Sequence, residues 1–289
     1  MTRKKLFSMT LALAMTASLF TTMPKSNAAT QKTFVVSATG DYSGVSNANA
    51  TYKSLQEAIN AGKDANIIAN IIVKGGSYTE GVNLSDASNL TIKGYENEKV
   101  MLTGTVKGAD DYINFVEMKG SHNITLDNLY IGGYTVTTKG TTVTAINVNG
   151  NSSDITIQNC DISNIVIDYK AAGAKKNSNH NAHGIIVRGN TATPISNINV
   201  LNNTVHDLKL GQSESVVFNG NVDGFNVSHN TIYNCDNIGI DMIGYEETYE
   251  ADQTKNRARN GICTYNYVHD ISTKTNVTYG TNDCCAGGI

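Results

Sequence analysis

The side chains best suited to acid–base chemistry or cation binding fall between residues 183 and 283 of this 289-residue chain. Carboxylates supply the oxygen ligands that hard cations prefer, and a carboxyl group or a histidine can transfer protons in catalysis. We predict that one edge of the fold gathers the main site, which consists of His183, Glu214, Asp236, Asp241 and Asp283. A structural interpretation competes with it, because Asp236 could simply form a turn, and His183 with Glu214 could be a weak surface ion pair.

An internal repeat positions these residues. Segments 145–151, 184–190 and 215–221 match position by position, and 239–244 is a fourth copy. The shortest spacing between copies is 24 residues, which fits one coil of a parallel β-helix, whereas a propeller blade needs about 40–45 residues. Stacked coils lie about 4.8 Å apart, so residues at equivalent positions become neighbours.

Aligning the copies predicts columns of side chains on the surface. Two outward columns on the first strand are Asn147, Ile186, Val217 and Asp241, and then Asn149, Arg188, Asn219 and Ile243. On the second strand, His206, Tyr233 and His269 form a strip of rings wide enough for a sugar. Asn203, Asn230 and Asn266 are expected to form an asparagine ladder in a turn. Long insertions, 168–183 and 272–286, precede the first strand of their coils and favour that edge as the site.

The rest of the chain fits the same fold. Residues 51–62 form the one convincing helix, which we expect to cap the first coil. From Ile67 onward the hydrophobic period is two, and no linker interrupts it, so residues 29–289 are predicted to be a single domain. Gly288-Ile289 matches Gly184-Ile185, so a fresh coil is expected to begin there and the C-terminal coils to be truncated.

The first 28 residues predict a secretory signal peptide. Three basic residues precede an apolar run at 6–20, and Ser26-Asn27-Ala28 fits a cleavage site. No other segment approaches the roughly 20 apolar residues of a membrane helix, so we expect a secreted, extracellular protein that is free of the membrane after cleavage. We expect the full-length protein to be a monomer. Residues 29–289 carry 18 basic and 25 acidic side chains, a formal charge of −7, which disfavours nucleic acid as a partner.

The chain resembles the secreted bacterial right-handed parallel β-helix proteins of the pectate lyase superfamily. The resemblance spans 55–289 and is carried by SLQEAINAG at 54–62, IIVKGGSYTEGV at 71–82, LTIKGYENEKVMLTG at 90–104 and GNVDGFNVSHNTIYNCDNIGID at 220–241. It implies an all-β fold, a right-handed parallel β-helix with an N-terminal capping helix.

The polysaccharide lyases of that superfamily imply a mechanism. Carboxylates hold Ca²⁺, which engages a uronate group of an acidic polysaccharide, and a Lys or Arg then removes the C5 proton in a β-elimination. By similarity to family 9 pectate lyases, the metal ligands are Asp223, Asp236 and Asp241, although Asn237-Ile238 stand where that family has acidic residues before the glycine. The candidate catalytic residues are Arg188, Lys255, Arg259 and Glu214, and the candidate substrate-binding residues, which come from the aligned columns, are His183, His206, Tyr233 and His269.

Two other functions stay open. A glycoside hydrolase needs two facing carboxyl groups about 5–10 Å apart, and Glu214 and Asp241 lie one coil apart. The Asn-Thr-Asp, Gly-His-Gly and Arg-Ile-Lys motifs of polygalacturonases are absent, which counts against this alternative. The third possibility is a non-catalytic surface or polysaccharide-binding β-helix, against which the absence of Trp counts mildly.

Overall fold

The computed structural model describes residues 29–64, 66–108, 112–246, 248–281 and 285–289. The predicted signal peptide and Asp283 lie outside these residues. The strands are β1 (Thr30–Val36), β2 (Ala50–Tyr52), β3 (Ile67–Val73), β4 (Gly76–Tyr78), β5 (Val82–Asn83), β6 (Ser88–Gly94), β7 (Val100–Leu102), β8 (Val106–Lys107), β9 (Ile113–Lys119), β10 (His122–Asp127), β11 (Tyr130–Val136), β12 (Val143–Asn149), β13 (Ser153–Gln158), β14 (Asp161–Ile167), β15 (Ala182–Gly189), β16 (Ile195–Leu201), β17 (Thr204–Leu208), β18 (Glu214–Gly220), β19 (Val222–Ser228), β20 (Thr231–Cys235), β21 (Ile238–Ile243), β22 (Ala258–Thr264) and β23 (Tyr267–Ile271). Helix α1 is Leu55–Gly62, and a 3₁₀ turn spans Val277–Tyr279.

The strands form three sheets, and successive coils contribute one strand to each in turn. Sheet A has the order β2-β1-β3-β6-β10-β13-β16-β19-β22, sheet B β23-β20-β17-β14-β11-β7-β4, and sheet C β21-β18-β15-β12-β9-β5. Among the described strands, every pairing is parallel except that of β8 with β9. The predicted right-handed parallel β-helix is confirmed.

The core is a stack of equivalent side chains, one from each coil. Ile146, Ile185, Val216 and Ile240 pair in register across sheet C, and each is fully buried. Alternate residues of a strand point to opposite faces, so one face of each repeat faces the interior while the other remains available for a site.

The predicted asparagine ladder runs along the turn between sheets A and B. Asn203 Nδ2 donates to Ile157 O at 2.9 Å, and Asn230 Nδ2 donates to Val200 O at 2.8 Å. The Asn230 side chain also accepts from the backbone N–H of Asn203, as Asn266 does from that of Asn230. These amides therefore satisfy backbone groups that the buried turn would otherwise leave unpaired.

The capping helix is shorter than its predicted range of 51–62. Ser54 is the N-cap, and its hydroxyl accepts from Glu57 N at 3.2 Å, so α1 begins at Leu55. Thr51 instead belongs to β2 and pairs with Val35, because its β-branched side chain favours a strand. The buried face of α1 covers the first coil, and a Cβ on Gly62 would lie 2.7 Å from the side chain of Leu90.

A further coil begins where the sequence indicates. Ile240 N donates to Gly288 O at 3.0 Å, and Ile238 bridges Gly287 in parallel. Within the described part of the chain, no helix is both long and apolar enough to cross a membrane.

Candidate functional site

The outer face of sheet C brings together four of the predicted site residues. His183 and Arg188 lie on β15, Glu214 on β18 and Asp241 on β21. The register is the one predicted from the repeats, with Val217 paired to both Ile186 and Asp241. Because adjacent parallel strands lie about 5 Å apart, these side chains occupy one contiguous surface.

Part of this face is covered, which the repeats alone do not indicate. Asn147, Ile186 and Val217 of the outward column are at most 4% exposed. Two insertions reach over parts of the face. The Tyr112 ring stacks 6.5 Å from His183 and 4.8 Å from the Arg188 guanidinium, while Glu246 accepts from Asn219 at 2.8 Å.

His183 and Glu214 are close but do not form an ordinary ion pair. His183 Nδ1 lies 3.6 Å from Glu214 Oε2, and their side chains are only 7% and 12% exposed. Burial lowers the pKa of His183 to about 3, with the charge of Arg188 acting in the same direction. Burial raises the pKa of Glu214 to about 8, helped by the charges of Asp241 and Glu246. At neutral pH, both groups are therefore uncharged.

Asp241 supplies a second carboxyl group beside Glu214. Glu214 pairs with Ile238, so Asp241 lies on the next strand and three residues further along it. Burial, together with the charge of Glu246, raises the pKa of Asp241. The face thus combines a carboxyl group that keeps its proton to about pH 8 with a partner carboxyl on the neighbouring strand.

The other predicted basic residues lie elsewhere. Arg259 is on β22 in sheet A, where its guanidinium lies 3.1 Å from Asp223 Oδ2 and donates to Asn221 Oδ1. Lys255 is an exposed loop residue 3.7 Å from Asp252 Oδ2. Of the predicted basic residues, only Arg188 is in the same sheet as Glu214.

The structure does not bring the three predicted metal ligands together. Asp223 is on sheet A and paired with Arg259, while Asp241 is on sheet C. Asp236 is buried at the corner between sheets B and C, where it accepts from Leu210 N and the Tyr169 hydroxyl, each at 2.5 Å. In the described parts of the chain, no three His, Cys, Asp or Glu side chains are grouped as a metal site. These aspartates therefore do not fit one shared calcium ion.

Asp236 instead belongs to the corner where the insertions gather. Asn276 Nδ2 donates to Gly211 O at 2.6 Å, and Asn177 N donates to Thr278 O at 2.8 Å. Three loops from different coils are thereby tied to one another, as the placement of insertions on one edge predicts. The buried Asp236 anchors Tyr169, the second residue of the loop that follows β14.

The predicted strip of rings lies on sheet B, away from Glu214. Successive rings stack almost parallel, with centroids 4.9 Å apart for His206–Tyr233 and 5.2 Å for Tyr233–His269. His206 is further held by Asp161 and Asp207, at 3.2 and 2.6 Å. The ring faces cover one another, so the strip offers mainly ring edges to a ligand, and its sugar-binding role stays a prediction.

A cleft of about 540 Å³ adjoins the strip, and its lining includes Asn164, Asp207, Lys209, Asn234, Asp270 and Ser272. Asn164, Asp207, Asn234 and Asp270 follow the paired strand positions of four successive coils, and all have positive φ. Asn and Asp are the non-glycine residues that tolerate this conformation best. Their placement is therefore explained by the positive φ that each coil adopts at this position of its sheet B strand.

One polar cluster on sheet C escaped the sequence interpretation. Glu117 on β9 is 3% exposed and accepts hydrogen bonds from Asn114, Asn147 and Asn149. Segment 113–119 pairs in register with β12, so extending the repeat by one coil towards the N-terminus would have placed Glu117 beside Asn147.

No protein-family model matches the chain. It is 33% identical over 221 residues to a Bacillus subtilis protein described as uncharacterized protein YwoF. The match covers 72% of this chain and 45% of that protein. The chain thus spans less than half the length of this relative.

Similar solved structures include Escherichia coli YbhC, with a TM-score of 0.43, 12% identity and coverage of 95% of this chain and 82% of that one. PfbA, a surface adhesin of Streptococcus pneumoniae, has a TM-score of 0.39, 12% identity and coverage of 75% and 69%. A pectate lyase from Xanthomonas campestris has a TM-score of 0.29, 13% identity and coverage of 75% and 74%. All three TM-scores are below 0.5, and the β-helix assignment rests on the strand register.

Proposed function

We propose that the protein cleaves a polysaccharide by hydrolysing a glycosidic bond at the outer face of sheet C. The observation that supports this most is that Glu214 and Asp241 lie on adjacent strands, close enough for the charge of Asp241 to raise the pKa of Glu214. Glycosidases use one carboxyl group as a general acid, with its pKa raised by its surroundings, and a second one as a base or nucleophile. Burial gives Glu214 the first property, since its pKa is about 8.

In this mechanism, Glu214 donates its proton to the glycosidic oxygen as the bond breaks. Asp241 acts on the opposite side of the sugar ring, on a water molecule in an inverting reaction or on the anomeric carbon in a retaining one. The two reactions require different carboxyl separations, about 6.5–9.5 Å and about 5–5.5 Å. The anomer that is released first can be identified by ¹H NMR. An inverted anomer would make Asp241 the base that activates water, and a retained anomer would make it the nucleophile.

The contacts favour hydrolysis over the calcium-dependent elimination implied by the resemblance. The three aspartates expected to hold Ca²⁺ are on different sides of the coil, and Arg259 is engaged by Asp223. The charges of Asp241 and Glu246 also act on this face, and they would repel a uronate chain. A neutral glycan suits it better. An acidic polysaccharide and Ca²⁺ remain predictions that the same assay tests.

The test is a paired assay on neutral polysaccharides, pectate and alginate, with Ca²⁺ or with EDTA. New reducing ends report hydrolysis or elimination, and absorbance near 235 nm reports only the unsaturated product of elimination. We expect reducing ends without a 235 nm signal, lost in Glu214→Gln and Asp241→Asn and retained in the control Lys255→Ala. A Ca²⁺-dependent 235 nm signal would support the lyase instead. Binding without any product would support a polysaccharide-binding β-helix.

A further inference from the structure

A cleft of about 540 Å³ follows the outer face of sheet B. Strands β14, β17, β20 and β23 are neighbours in this sheet, and their coils each contribute one Asn or Asp to the lining: Asn164, Asp207, Asn234 and Asp270. Adjacent coils lie about 4.8 Å apart, so this row spans three steps, or about 14 Å. The cleft therefore extends along the axis of the β-helix, and its volume lies within the range of about 300–1,000 Å³ that is usual for ligand sites.

Positive φ explains why Asn and Asp are tolerated in this row, but it does not require their side chains. Glycine adopts positive φ more readily than either residue. In the preceding coil, Gly133 occupies the position equivalent to Asn164 and has a φ of 89°. Gly133 lies outside the cleft lining. The coils that form the cleft therefore carry polar side chains at a position where the backbone would accept glycine.

The strip of rings holds two of these carboxylates in place. His206 Nδ1 lies 2.6 Å from Asp207 Oδ2, and His269 Nδ1 lies 2.7 Å from Asp270 Oδ2. Asn234 Nδ2 donates to Asp207 Oδ1. Side chains that are already fixed lose little conformational entropy when they bind a ligand, which favours affinity. The rings thus position the carboxylates beside the cleft, although their own faces cover one another.

The cleft offers both polar and apolar contacts. Its lining also contains three polar residues, Lys209, Ser272 and Thr275, and three apolar ones, Val166, Leu208 and Cys235. A pyranose ring presents hydroxyl groups at its edge and C–H groups on its face, so it can use both kinds of contact. The lining has three aspartates and one lysine, and this negative balance disfavours a polyanion.

We propose that this cleft binds a linear, neutral polysaccharide that lies along the β-helix axis, with one sugar ring facing each coil. The coil spacing of about 4.8 Å is close to the length that one pyranose ring adds to an extended β-1,4-linked chain. Hydroxyl groups of successive sugars therefore meet Asp207, Asn234 and Asp270 in turn, where carboxylates accept hydrogen bonds and the amide can donate or accept. The cleft is on a different sheet from Glu214, so it binds the chain without cleaving it, and the proposal does not depend on hydrolysis.

The test is titration calorimetry with β-1,4-linked manno-, xylo- and cello-oligosaccharides of two to six units. The full chain carries Glu214→Gln, so that no ligand is hydrolysed during the measurement. We expect at least one series to bind, with an affinity that rises up to four units and changes little from four to six. Asp270→Gly should weaken binding about tenfold or more and Asn234→Gly about threefold, because glycine accepts the positive φ while the hydrogen-bonding group is lost.

Asn260→Gly is the matched control. Asn260 and Asp270 lie in the same coil and both have a φ of 53°, but Asn260 is on sheet A, outside the cleft. Asn260→Gly should bind the oligosaccharides as tightly as the parent chain.

Three results would overturn the proposal: none of the neutral series binds, oligogalacturonates bind more tightly than every neutral series, or folded Asp270→Gly binds as tightly as Asn260→Gly. The last result would place the bound sugar elsewhere, including the face of sheet C. Binding that Asp270→Gly weakens, in a protein whose wild type cleaves no polysaccharide, would support the cleft and contradict only the proposed reaction.

Discussion

His183 Nδ1 and Glu214 Oε2 lie 3.6 Å apart on adjacent strands, yet burial keeps both groups uncharged at neutral pH. The pair therefore gives little Coulombic attraction. Its consequence is chemical instead, because a carboxyl group that retains its proton at neutral pH can act as a general acid. The covering insertions produce this property by excluding water from the face of sheet C.

The stability of the protein should fall as the pH rises from about 4.5 to about 8, through Glu214. Its pKa in the fold is about 8 against an ordinary value of 4.5, so the folded state binds the proton more tightly than the unfolded state does. This contribution is fully present below pH 4.5 and is lost above pH 8. Urea unfolding across this range should show a smaller decrease for Glu214→Gln than for the wild type. If the free energy of unfolding fell equally with pH in the wild type and in Glu214→Gln, the burial of this carboxyl group would be contradicted.

His183 should act in the opposite direction at low pH. Its pKa falls from 6.5 to about 3 in the fold, so its contribution is present above pH 6.5 and is lost as the pH falls towards 3. His183→Phe, which retains a ring beside Tyr112, should lose less stability than the wild type between pH 6.5 and 4. His269→Phe serves as the control, since that histidine is 33% exposed. If the wild type and His183→Phe lost the same stability between pH 6.5 and 4, His183 would not be the cause of the acid dependence.

Glu214→Gln should lower kcat about 10²–10⁴-fold on a hydrolysed substrate, the usual contribution of a general acid. The wild-type rate should fall as the pH rises through about 8, where Glu214 loses its proton. Asp241→Glu retains a carboxylate, so its rate should fall at the same pH as that of the wild type. Asp241→Asn removes a charge that raises the pKa of Glu214, so any residual activity should fall at a lower pH. If the rate of Asp241→Asn fell at the same pH as that of the wild type, Glu214 and Asp241 would not interact.

Tyr169→Phe should destabilise the corner between sheets B and C by about 1–3 kcal/mol. The substitution removes a donor to Asp236 and leaves the N–H of Gly211, which donates to the Tyr169 hydroxyl at 3.1 Å, without a partner. It should also raise the pKa of Asp236 above its present value of about 6, because the Tyr169 hydrogen bond lowers that pKa. Urea unfolding measures the loss, and Tyr265→Phe, at a ring 78% exposed, should change stability by less than about 0.5 kcal/mol.

Asn230→Ala should cost about 1–3 kcal/mol, because it leaves two backbone groups of the preceding coil unpaired. Asn230 donates to Val200 O and accepts from Asn203 N, and both contacts are buried. A change below about 0.5 kcal/mol in urea unfolding would mean that water replaces these bonds and that the turn is open.

The coil register could be predicted because equivalent residues stack directly on one another. Matching Ser215 and Gly239 to Gly184 thus predicts Glu214 beside His183 and Asp241 beside Val217 from the sequence alone. The covering of this face could not be predicted in the same way. Tyr112 and Glu246 come from insertions that have no counterpart in other coils, so no periodicity indicates where they fold back.

The sequence could not show that the three aspartates predicted as metal ligands lie apart, for a related reason, and calcium binding itself stays a prediction. Asp223 and Asp241 are close in sequence, but each coil turns through three sheets, and 18 residues carry the chain from sheet A to sheet C. Asp236 falls at the corner between them, where its side chain caps buried backbone. In a β-helix, proximity of side chains follows the register between coils rather than spacing along the chain.

The central claim is that Glu214 keeps its proton at neutral pH beside Asp241, and ¹³C NMR of carboxyl carbons in glutamate-labelled protein tests it most directly. Comparison with Glu214→Gln assigns the resonance. We expect it to titrate near pH 8 in the wild type and at lower pH in Asp241→Asn. A midpoint near the ordinary glutamate value of about 4.3 would contradict the claim and remove the general acid from the proposed reaction.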